Sequence, residues 1–257
     1  MMSLLALVGM MMTSCMSVNI GDWGDVDKTP TQVPEINKVT AMQPFDKVDM
    51  TNAFKVIYEQ GDTHSVRIEA SDEAFKEMTV YVKDGDLRIR KAVKKSTVDF
   101  SKVKIYVTSP DIKGIEIAGS GLFAASNRIN TSGDLDMEIA GSGNIMLADV
   151  TCKDATMEIA GSGDIEIGNL AAKEAKAEIA GSGDISLATF TCSKFNIEIA
   201  GSGDVICNNI TADDVHTEIA GSGDVTLKGM VKHHTEDIAG SGKVNVSGLT
   251  ESPDSVK

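Results

Sequence analysis

The chain has 257 residues, 42% of them hydrophobic and 24% charged, enough to bury a sizeable core and unlike the composition of a disordered protein. Aromatic residues make up only 4% while glycines number 24, so that core has to be built from small aliphatic side chains. A net charge of −14 argues against nucleic-acid binding, which needs a basic face, and no apolar run reaches the ~20 residues of a membrane-spanning helix.

The first apolar stretch, residues 4–12, is too short to span a bilayer but suits the hydrophobic region of a signal peptide. It runs into Met12-Thr13-Ser14-Cys15, where small residues before a cysteine resemble the lipobox of bacterial lipoproteins. Residues 1–14 are therefore the expected signal peptide and Cys15 the expected lipidation site, although no Lys or Arg precedes Leu4. A diacylated cysteine tethers a protein to a membrane without crossing it. The expected location is the cell envelope, lipid-anchored, at the outer membrane or cell surface of a two-membraned bacterium. Residues 15–44 are polar, carry Gly21, Gly24, Pro30, Pro34 and Pro44, and read as a flexible tether.

Residues 45–112 are β-rich but not repetitive. Apolar and polar residues alternate over 54–58, 66–70, 79–82, 87–90 and 103–107, with Asp84-Gly85 as a hairpin turn and one helical turn near 73–78. This region is either a set of irregular first coils or a small β-domain capping a rod. Lys91, Lys94 and Lys95 form a basic cluster read as a solvated loop.

From 113 to 249 the chain repeats. Glu-Ile-Ala-Gly-Ser-Gly begins at Glu116, Glu138, Glu158, Glu178, Glu198 and Glu218 and returns with Asp237 in the first place. Further apolar columns recur at fixed distance from the glutamate: Ile145, Ile165, Ile185, Val205 and Val225; Leu147, Ile167, Leu187, Cys207 and Leu227; Val150, Leu170, Phe190, Ile210 and Met230. Apolar residues at every second position mean short strands, and a period of about 20 residues with Gly-Ser-Gly corners means one solenoid coil per module. The fold class is all-β: a parallel β-helix of ~20-residue coils, each burying its aliphatic ladder against its neighbours, behind a β-rich N-terminal region. Residues 250–257 form a C-terminal tail.

Residues 116–242 hold 20 acidic and 7 basic side chains, whereas 45–115 are nearly balanced. The glutamate next to the inward isoleucine points out, so Glu138, Glu158, Glu178, Glu198 and Glu218 should form a vertical carboxylate ladder continuing from Glu116. Asp164, Asp184, Asp204 and Asp224, just after the corner, form a second file headed by Asn144. Such columns are candidates for a cation, with calcium suited to oxygen ligands, or for partner contact; alternatively Asp caps the turn and Glu keeps the face wet. No cofactor is otherwise expected. Cys152 and Cys192 share a phase two modules apart, ~9–10 Å by strand spacing and beyond disulfide reach. A Cys192–Cys207 bridge stays open beside the reading of buried free thiols. No nucleophile–base–acid constellation stands out among His64, His216, His233 and His234, and the repeated serines read as corner residues.

The tandem modules, preceded by the segment VKIYVTSPDIKGIEIAGSG, resemble the family of putative auto-transporter adhesins with a head GIN domain, over residues 45–248. The resemblance implies a right-handed, single-stranded, pectin-lyase-like β-helix in an envelope protein with a role in adhesion, and no catalytic residues. The expectation is a non-enzymatic lipoprotein presenting a repetitive acidic face to host or microbial glycan or surface protein, and not to nucleic acid. Its rivals are a carbohydrate-active β-helix enzyme of the lyase or hydrolase type and a structural or signalling envelope component.

Overall fold

Each module yields two strands because two runs of alternating apolar residues are separated by corners that favour glycine. A computed structural model of the protein describes residues 34–92 and 95–251. The expected signal peptide, Cys15, most of the tether, Lys94 and the tail beyond 251 lie outside the described residues.

The described chain opens with β1 (Val39–Ala41), β2 (Lys47–Asn52), β3 (Lys55–Gln60) and β4 (Ser65–Glu69), then a helical turn, α1 (Asp72–Lys76). Next come β5 (Met78–Lys83), β6 (Asp86–Lys91) and β7 (Lys104–Ser109). The repeats supply β8 (Gly114–Gly119), β9 (Leu122–Asn130), β10 (Leu135–Gly141), β11 (Asn144–Thr151), β12 (Asp154–Gly161) and β13 (Asp164–Ala171). They continue as β14 (Glu174–Gly181), β15 (Ile185–Thr191), β16 (Lys194–Gly201), β17 (Val205–Gly221), β18 (Asp224–Gly240) and β19 (Lys243–Glu251).

These strands stack into two parallel faces, and the protein is a parallel β-solenoid with almost no helix. One face runs β6, β2, β8, β10, β12, β14, β16 and then the second halves of β17 and β18. The other runs β7, β3, β9, β11, β13, β15, the first halves of β17 and β18, and β19. Like residues stack on like: Glu158 is level with Glu178, Ile159 with Ile179, Ala160 with Ala180. Ile139, Ile159, Ile179, Ile199 and Ile219 are buried, as are Ile145, Ile165, Ile185, Val205 and Val225 on the opposite face.

The N-terminal region both extends and closes this stack. The β2–β3 rung sits between β6–β7 and β8–β9, so chain order and stacking order differ at this end. Beyond these, β5 pairs antiparallel with β6 and β4 antiparallel with β7, and β1 adds to β4. Asp84 (φ 57°) and Gly85 (φ 88°) turn the β5–β6 hairpin with positive φ at both central positions, as a tight primed turn requires. Ser71 caps α1, its hydroxyl accepting from the Ala74 amide at 3.2 Å.

The corners explain the invariance of Gly-Ser-Gly within this chain. Gly181 has φ +145°, disfavoured for any residue with a Cβ. Gly183 faces a second constraint: a Cβ there would lie 2.0 Å from the carbonyl oxygen of Gly163 one rung away. In the β2–β3 rung the position level with Gly119 is filled by Asn52 at φ 65°.

Two expectations need correction or closure. Met230 does not join Val150, Leu170, Phe190 and Ile210 in the core but is 49% exposed. The last module is one residue short, so the register shifts: Gly229 stacks on Ile210, Met230 on the outward Thr211, and Val231 is buried instead. Cys152, Cys192 and Cys207 are all free and buried, so the Cys192–Cys207 bridge is not formed. Burial pushes the Cys152 thiol up to about 11 and that of Cys192 to about 12, which leaves both unreactive at neutral pH.

Gly183→Ala should lower stability by roughly 1–3 kcal/mol or more, since the rungs would have to part to admit the methyl group. Ser182→Ala, at the exposed corner position beside it, should be close to neutral. Thermal unfolding followed by circular dichroism checks the contrast; equal melting temperatures would contradict it.

Candidate functional site

Where isoleucine points inward, the residues on either side point outward. On the face built by β10, β12, β14, β16 and the second halves of β17 and β18, this produces two adjacent outer columns. The carboxylates of Glu138, Glu158, Glu178, Glu198, Glu218 and Asp237 stand beside the methyl groups of Ala160, Ala180, Ala200, Ala220 and Ala239. Together they line an open trough of about 630 Å³ that runs across successive rungs. The isoleucine positions between the two columns also line it, so a narrow apolar strip runs next to a line of hydrogen-bond acceptors.

A third outward column sets the electrostatics, because residues two positions before each glutamate lie on the same side of the strand. Lys176 pairs with Glu178 and reaches Glu198 at 3.2 Å. His216 Nε2 lies 2.9 Å from Glu218, while its Nδ1 lies 2.8 Å from the Thr235 hydroxyl. At the other end Lys47 Nζ is 2.9 Å from Glu116, whose carboxylate raises the lysine pKa above its ordinary value against the opposing effect of burial. The carboxylates of Glu138 and Glu158 have no ion-pair or hydrogen-bond partner among the described residues, and Asp136 lies beside Glu138 in the adjacent column. Asp237 on the last rung of the column is likewise without such a partner among the described residues, so unpaired carboxylates stand at both ends of the trough.

The aspartate file is placed elsewhere and acts differently. Asp164, Asp184, Asp204 and Asp224 sit at the Gly-Ser-Gly corner, outside the trough. Each carboxylate accepts a backbone N–H from the rung above: Asp184 N to Asp164 Oδ1 at 3.2 Å, Asp204 N to Asp184 Oδ1 at 2.9 Å, Asp224 N to Asp204 Oδ1 at 2.8 Å, and Lys243 N to Asp224 Oδ1 at 2.9 Å. One oxygen of every aspartate is thus committed to fastening neighbouring coils. Among the described residues no group of three His, Cys, Asp or Glu side chains is arranged to hold a metal ion. Cys15 lies outside the described residues.

Glutamates and aspartates were expected as two parallel ladders, and the structure brings only the glutamates together at a surface depression. Sequence reasoning missed the alanine column, although it occupies the third place of every Glu-Ile-Ala and shares the glutamate's side of the strand. Lys176 and His216 carry the same signal, two residues before a glutamate.

Comparison with known proteins adds to this geometry. The sequence model of the family described as "Putative auto-transporter adhesin, head GIN domain" matches residues 44–205 and 188–256. No curated protein matches the chain in sequence. Among solved structures, a putative adhesin from Bacteroides fragilis NCTC 9343 superposes with TM-score 0.71 at 23% identity, covering 81% of this chain and 94% of that one. A putative lipid binding protein from Parabacteroides distasonis ATCC 8503 superposes with TM-score 0.66 at 21% identity, covering 84% and 95%. A putative adhesin from the same organism gives 0.65 at 19%, covering 83% and 98%. At these identities the likeness is one of fold.

Asp204→Ala should cost about 1 kcal/mol by leaving the Asp224 amide without its acceptor. Asp204→Asn keeps an acceptor oxygen, relieves repulsion between stacked carboxylates, and should be neutral or mildly stabilising. Chemical denaturation of the two variants distinguishes them; equal losses would contradict the role of the side-chain acceptor.

Proposed function

The chain belongs to the family of putative auto-transporter adhesins with a head GIN domain, and from that membership we propose that it is a non-enzymatic adhesin of the bacterial envelope. In this reading a lipid on Cys15 holds it to a membrane, at the outer membrane or cell surface, and the trough face meets glycan or surface protein. The observation that carries the reading is the trough itself, in which the same glutamate and alanine recur on rung after rung. Hydroxyl groups of an extended glycan would donate to the carboxylates while its apolar ring faces rest on the alanine methyls. Contacts that are individually weak gain strength when several engage at once. Calcium is a candidate bridging ion, because carboxylates at strand spacing suit an oxygen-liganded cation.

A carbohydrate-active enzyme fits less well. Glycoside hydrolysis places two carboxyl groups on either side of the scissile bond. Here the trough's carboxylates all come from one column, and its other lining residues are isoleucine and alanine.

The test uses the Cys15→Ser protein, which the lipid anchor predicts to be in the soluble fraction, applied to a glycan array and to matrix proteins with and without calcium. Binding without turnover is expected, with a loss of about tenfold or more for Glu158→Gln/Glu178→Gln if several contacts act together. Depolymerised polysaccharide would overturn the non-enzymatic reading. Absence of binding to either class would favour a structural or signalling role.

A further inference from the structure

The two ends of the solenoid differ. At the N-terminal end β5 and β1 have no strand on their outer sides among the described residues, yet the inward Met78 and Val80 of β5 are each only 7% exposed. At the last described rung two residues of the core columns are exposed. Ile238 is 40% exposed where Ile219, one rung below, is 2% exposed; Val246 is 37% exposed where Leu227 is fully buried. Among the described residues, neither the second half of β18 nor β19 has a strand on its outer side, so this end presents two rows of unpaired backbone groups running in opposite directions. Only an object offering two antiparallel edges with the same separation can satisfy both rows at once.

The edge of β18 reads His233-His234-Thr235-Glu236-Asp237. Paired antiparallel with itself about Thr235, it sets His234 opposite Glu236 and His233 opposite Asp237, twice over. The sides agree, since His234 and Glu236 occupy inward positions, level with Val215 and Thr217, while His233 and Asp237 are level with the outward Asp214 and Glu218. A buried His234 Nε2 and a buried Thr217 Oγ1 lack hydrogen-bond partners, so polar capacity at this end is unused. The other face permits the same axis: Thr235 precedes Ser241 at the corner by six residues, and Ser247 in the middle of β19 follows it by six.

We propose that the C-terminal end of the solenoid docks on the same end of a second copy, about a two-fold axis normal to the two faces, with β18 against β18 and β19 against β19. The contact is isologous, so the two-fold axis closes it after two subunits. It covers Ile238 and Val246, completes both strand edges and places each histidine of the edge opposite a carboxylate of the copy. The N-terminal ends then point apart.

Cysteine cross-linking in the full chain tests this. Directly opposed residues of an antiparallel pair have Cβ atoms ~4.5–5.5 Å apart, so Thr235→Cys on the axis should give a disulfide-linked dimer under mild oxidation. Val39→Cys, exposed on β1 at the opposite end, should not. Adding His233→Glu/His234→Glu to Thr235→Cys makes the edge uniformly acidic and should cut the cross-linked fraction about tenfold, given several opposed pairs each worth a few tenths to 1 kcal/mol. Adding Glu236→Lys/Asp237→Lys as well sets opposite charges across the seam and should restore the dimer. Resistance to proteolysis confirms that each variant is folded. The proposal is overturned if folded Thr235→Cys fails to cross-link, if Val39→Cys cross-links equally, or if the yield ignores the charge exchange.

Discussion

Everything in this molecule depends on each inward side chain being covered by its own counterpart one strand spacing away. An isoleucine stacked on an isoleucine is buried by a neighbour of identical shape, so a single packing solution serves every rung and few aromatic residues are needed. Burial is shared only between adjacent coils, which makes the energetics nearest-neighbour in form. The same rule governs the ends. Ile238 occupies the place of Ile219 one rung on, with no further rung above it among the described residues, and its greater exposure measures what such a rung contributes.

Stacking also dictates what the surface can be. Once isoleucine is fixed inward, the glutamate before it and the alanine after it are fixed outward, and both become columns whether or not either has a use. Carboxylates at strand spacing repel one another, and the molecule meets this unevenly. At the corners each aspartate turns one oxygen onto the backbone of the next coil. On the face, Lys176 pairs with Glu178 and Glu198 and His216 hydrogen-bonds Glu218, while Glu138, Glu158 and Asp237 have no such partner among the described residues. Structural need accounts for the aspartates; it does not account for the uncompensated glutamates, and this contrast directs attention to the trough as a binding surface.

Much of this was legible in the sequence because the module repeats itself with few errors. The period, the corner, the inward isoleucines and the outward glutamates follow from alternation alone, and the Asp84-Gly85 hairpin follows from turn chemistry. Other features were hidden where the pattern degenerates. Met-Thr-Asn in β2 is level with Ile-Ala-Gly in β8, but only the backbone of Asn52, in a conformation usually left to glycine, reveals the corner. The insertion of β2–β3 between β6–β7 and β8–β9 is a long-range pairing with no local signature. Met230 was misplaced because one missing residue shifts the register, and a shift of one exchanges the inside of a strand for its outside. The aspartate role was unreadable for a different reason: its partner is the main chain of another coil.

The account stands or falls on one lap per module, and pairwise distances along the solenoid measure that directly. Spin labels on cysteines replacing exposed corner serines, in the pairs Ser142–Ser222, Ser120–Ser222 and Ser120–Ser241, span four, five and six modules. Electron–electron dipolar spectroscopy should then return separations of ~19, ~24 and ~29 Å, rising by ~4.8 Å with each added module. Separations that fail to grow with module number, or that grow by the length of a hairpin, would contradict it.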